Sequence, residues 1–165
     1  MTPYRGRALL DRGQRDVDLH EERAAMGMFA TFTYADHRWL AEEDPVQRDG
    51  APSGPFFSAT VHDSDFATLR YEPASTAGGL AYLGFQPRDY FDDPSASDDV
   101  DLDAQAIGLA EWAAAVTGTA VSAGAIRPLL AQEFVEEPIA DFVEDTLQRL
   151  VSLLGLPLIA ELIDG

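Results

Sequence analysis

The segment from Phe56 to Glu72 constrains the fold most. Phe56–His62 and Phe66–Glu72 read as strands, and Asp63-Ser64-Asp65 between them has short side chains that hydrogen-bond their own backbone through a tight reversal. A hairpin of this kind commits the chain to an antiparallel sheet. From Met26 the sequence alternates, with Met28, Ala30, Phe32 and Tyr34 on one side and Phe29, Thr31 and Thr33 on the other, which is a third strand. Leu80 to Phe85 reads as a fourth, beyond the loop Pro73–Gly79. Three consecutive strands on short loops predict an antiparallel β-meander of about four strands. Such a sheet needs helices over at least one face.

The second half supplies them. Leu102, Ala106, Leu109, Ala110, Trp112, Ala113 and Val116 form a stripe from about Asp101 to Val116, with Gly118 as the stop. A second helix is expected from Pro138 to Leu154, with Pro138 in its first turn and Gly155 at its cap. A short final helix, Leu158 to Ile163, follows. The fold class is therefore α+β, an antiparallel meander packed against C-terminal helices. At 165 residues and 46% apolar, residues 1–165 suit one domain with one core. Its first dozen residues are expected to be loosely ordered, with a helical piece at Asp18–Ala25 and loops at 47–55 and 86–100.

Twenty-nine acids against 11 basic residues leave a net charge of -18, which argues against nucleic-acid binding through phosphate neutralisation and against anionic membranes. All 11 basic residues are Arg, and Lys and Asn are both absent, as a GC-rich genome or a salt-adapted surface would produce. Residues 1–40 are neutral, residues 41–125 carry -12 and residues 126–165 carry -6. The apolar run Leu150–Ala160 is broken by Ser152, Gly155 and Pro157 and is too short to span a bilayer. The Arg-containing start lacks a secretory pattern, so a cytoplasmic location is expected.

Local enzyme signatures are missing. No cysteine is present, so there is no disulfide, thiolate nucleophile or cysteine-ligated zinc. A Walker loop needs Lys, Ser53 sits one place too late for a nucleophile elbow, and Ala24 stands where a zinc-protease helix needs its second His. No catalytic residue and no cofactor is assigned. The weak metal candidates are His62, Asp63 and Asp65, which share one hairpin end; the competing reading is that both Asp residues serve the turn. Asp99, Asp101 and Asp103 begin like a calcium loop, but Ala104 and Ala110 occupy its glycine and bidentate-glutamate positions.

The interface candidate is Arg88, Asp89, Tyr90 and Phe91 with Asp92, Asp93, Asp98 and Asp99, a mixture of guanidinium, rings and carboxylates directly after a strand. The expected function is that of a non-enzymatic acidic protein-binding domain engaging a more basic partner. It could be an inhibitor or immunity-type antagonist, sharing size and charge with bacterial immunity proteins. The alternative is a small-molecule-binding or hydrolytic domain with an aromatic-lined pocket holding His62 and Asp65, and a DNA mimic is a third reading. Residues 150–163, apolar on more than one helical face, are either buried or a homodimer seam.

Overall fold

A computed structural model describes residues 27–43, 52–74, 78–130 and 140–163. The expectations for the first dozen residues and for Asp18–Ala25 lie outside the described residues. The strands are β1 (Phe29–Ala35), β2 (Arg38–Glu43), β3 (Phe56–His62), β4 (Phe66–Glu72) and β5 (Leu80–Leu83). They form one antiparallel sheet in the order β2-β1-β3-β4-β5, so the α+β fold and the meander are as expected, with one strand more.

The added strand is β2. It follows a two-residue turn in which Asp36 and His37 both take positive φ, 51° and 61°. That is the type I′ reversal whose twist suits a hairpin, made here without glycine by two residues that tolerate the left-handed region. β5 ends at Leu83 and not at Phe85. Gly84 turns the chain there at φ 72°, and a Cβ in its place would overlap the Asp65 carbonyl.

The segment read as a loop after β5 contains a helical turn, α1 (Pro87–Tyr90), with Pro87 in its first position. α2 (Leu102–Val116) begins as expected: the Asp101 carboxylate accepts from the Ala104 N–H at 2.7 Å. α3 (Ala123–Ile126) runs into a 3-10 turn, Arg127–Leu129.

The last helix, α4 (Val143–Leu153), starts five residues later than Pro138, which lies outside the described residues. The Val143 N–H is held at 2.9 Å by the Ser64 carbonyl, and Phe142 before it is extended, so a tertiary contact sets the start. Its end is as expected, for Gly155 at φ 75° lets the Leu156 N–H reach the Val151 carbonyl at 2.9 Å. The final helix shrinks to a 3-10 turn, Ala160–Leu162. The Gln148 amide binds both the N–H (3.0 Å) and the carbonyl (2.8 Å) of Ile159, which holds that residue extended and delays the turn.

Alternation decides the two faces of the sheet. Ala30, Phe32, Phe57, Val61, Leu69 and Tyr71 point into a core completed by Leu109 and Trp112 of α2, Ile126, and Leu147, Leu150 and Leu154 of α4. Each large apolar side chain fully removed from water there contributes roughly 1.5–3 kcal/mol before entropy is counted. The Trp112 indole N–H donates to the Glu72 carbonyl at 2.8 Å. On the outer edge of β5, Gln105 Oε1 accepts from the Tyr82 N–H at 3.1 Å, and Leu83 makes an isolated antiparallel bridge with Leu130. No helix among the described residues is long and apolar enough to cross a membrane.

Candidate functional site

The β3–β4 reversal is where sheet, helices and loop meet. Asp63 and Ser64 both take positive φ, 53° and 57°, and the Asp65 N–H closes the turn on the His62 carbonyl at 3.1 Å. Its hub is Ser64. The Ser64 hydroxyl accepts from the Met28 N–H at 2.8 Å and donates to Glu144 Oε1 at 2.5 Å, while the Ser64 carbonyl receives the Val143 N–H. One residue thus holds the start of β1 and the start of α4 against the hairpin.

On the sheet face opposite the core, the register sets His62 beside Phe29 on one neighbour and Phe66 on the other. α1 lies against this end. The Tyr90 hydroxyl donates to Asp65 Oδ2 at 3.0 Å, which anchors the helical turn to the hairpin. The His62 ring is in contact with four aromatic rings, with centroids 4.9 Å away for Phe29 and Phe66, 5.5 Å for Phe91 and 5.8 Å for Tyr90. Phe85 joins at 6.2 Å from Tyr90. At these separations, mostly edge-to-face or tilted, the rings pack directly against one another.

Several rings remain open to water: Phe29 is 46% exposed, Phe85 41% and Phe91 52%. All three lie at the same end of the sheet, around the His62 and Tyr90 rings. Carboxylates border them, with Asp63 and Asp65 in the turn and Asp89, Asp92 and Asp93 on either side of Tyr90-Phe91. Asp63 and Asp65 also push the Tyr90 hydroxyl above the ordinary phenol range, chiefly through the hydrogen bond to Asp65, which keeps the proton in place.

The interface candidates divide. Asp89, Phe91, Asp92, Asp93, Asp98 and Asp99 are exposed and Tyr90 is half-buried. Arg88 is paired along its own loop: its guanidinium sits 4.0 Å from Asp99, and its backbone N–H donates to Ser97 Oγ at 3.2 Å. Asp93 accepts from both the N–H (2.9 Å) and the hydroxyl (2.7 Å) of Ser95, which holds its carboxyl below the ordinary value. The metal candidates also divide, for His62 is enclosed by rings and Asp65 is engaged by Tyr90. Among the described residues no group of three or more His, Asp or Glu is placed to hold a metal ion.

Sequence reasoning missed Phe29 as part of this site and read Ser64 only as a turn residue. Alternation places Phe29 opposite its core-facing neighbours, but only the β1–β3 register brings it to His62. A shallow open groove lined by Pro52, Gly54, Pro55, Glu72 and Pro73 lies at the other end of β3 and β4. Of the apolar C-terminal residues, Leu150, Val151, Leu154, Leu156 and Ile159 are buried in the core, whereas Leu158 and Ile163 are exposed.

Fold and site together define an α+β protein that carries a contact-packed aromatic cluster at an acidic sheet end. Comparisons with protein-family models, with curated proteins and with solved structures find no match to this chain.

Proposed function

We propose that this chain is a non-enzymatic protein-binding domain whose aromatic end, framed by carboxylates, grips a more basic protein partner. It would act in the cytoplasm, as an inhibitor or immunity-type antagonist. The observation that supports this reading is the exposure of Phe29, Phe85 and Phe91 around a cluster whose rings already pack against one another. Rings held in place cost little entropy to bury, and aromatic anchors dominate the energetics of many interfaces. Asp63, Asp65, Asp89, Asp92 and Asp93 supply the field that draws a cationic surface and excludes an anionic one.

The test is a comparative capture from lysate of the source organism, using the intact chain, Phe91→Ala, and Asp89→Ala combined with Asp92→Ala. We expect basic proteins retained by the intact chain, lost with Phe91→Ala and released by added salt. Retention of the same proteins by all three forms would overturn the assignment. Turnover or binding of a small molecule that depends on His62 and Asp65 would replace it with the pocket reading.

A further inference from the structure

From the phase of its outer strand we infer that β2 is a self-pairing edge, through which two copies of this chain join their sheets about a two-fold axis at Leu40. This is independent of the aromatic end, which lies elsewhere on the sheet. β2 is the outermost strand, and beyond it no further strand pairs among the described residues. The two-residue turn at Asp36-His37 makes Ala35 and Arg38 a hydrogen-bonded pair, so Arg38, Leu40 and Glu42 direct their backbone groups toward β1. Trp39, Ala41 and Glu43 therefore direct theirs outward.

A second copy laid antiparallel with Leu40 opposite Leu40 matches this phase. Each Trp39 then faces an Ala41 of the other copy as a hydrogen-bonded pair, twice over. Each Arg38 faces a Glu42 as a non-hydrogen-bonded pair, where side chains approach most closely and opposite charges stabilise. Even-numbered side chains stay on one face and odd-numbered ones on the other, so the two core faces remain on the same side of a continuous sheet, five strands from each copy. A slip of two residues sets Glu42 against Leu40 or against Asp36, losing the match. Leu40, 40% exposed, lies on the axis, and the exposed Leu158 borders the edge because the Trp39 indole N–H donates to the Pro157 carbonyl at 2.8 Å.

The absence of cysteine makes the axis directly readable. In a non-hydrogen-bonded antiparallel pair the Cα atoms are about 4.5 Å apart, inside the range a disulfide bridges. Leu40→Cys should therefore crosslink to a covalent dimer under mild oxidation, much faster than Ala114→Cys, an exposed position on α2. Light scattering of the full chain should give twice the chain mass. Arg38→Glu and Glu42→Arg should each give the single-chain mass, and the two together should restore the doubled one. A wild-type chain of single mass, or Leu40→Cys that oxidises no faster than Ala114→Cys, overturns the inference. So does a doubled mass unchanged by both single reversals.

Discussion

Ser64 matters more to this fold than the two aspartates beside it. Its hydroxyl spends both hydrogen-bonding directions inside the molecule, on the Met28 N–H and on Glu144. Ser64→Ala should therefore lower the unfolding free energy by about 1–3 kcal/mol, measured by urea titration, since a half-buried N–H and a carboxylate oxygen each lose a partner. Tyr90 gives a pH signature. Its folded pKa is raised, so the contribution of its hydrogen bond is complete below about pH 10 and is lost as pH climbs through the folded value. Absorbance titration of the phenols should show Tyr90 titrating late, returning toward 10.0 with Asp65→Asn. Asp93 has the opposite sign. Its depressed pKa contributes above about 3.8 and is lost as pH falls through the folded value, so proton resonances of Ser95 should shift in acid.

At the scale of elements, boundaries were legible where the stop signal is local and not where it is tertiary. Asp101, Gly118 and Gly155 act within a turn of their helix, and each does what its position predicts. Asp101→Ala should cost about 0.5–2 kcal/mol in the same titration, the loss of one helix cap. Gly155→Ala should cost more, because the left-handed φ is retained against a Cβ that also meets Thr119. The start of α4, the late start of the chain's last helical turn and the whole of β2 were not legible. Ser64 sets the first, Gln148 the second, and an Asp-His type I′ turn the third; none lies in a sequence pattern a window can see.

Over the whole molecule, the net charge of -18 would steer a basic partner of the proposed kind before contact is made. Capture of a basic partner should weaken steeply between low and physiological salt, chiefly through a slower association rate, measured by surface plasmon resonance. Phe91→Ala should instead speed dissociation and cost at least about 2 kcal/mol, roughly a thirtyfold loss of affinity, as truncating an aromatic anchor does. Half the candidate site was readable in advance, because Tyr90, Phe91 and their aspartates are neighbours along the chain. Its other half, Phe29, His62 and Phe66, comes from three strands. By itself the sequence determined the fold class, the central hairpin, two helices and the charge, since periodicity, turn chemistry and titratable groups act over a few residues. Which rings meet, which hydroxyl bridges three elements and which strand is left at the edge were decided only by tertiary structure, because strand register is settled by the packing of one buried face as a whole.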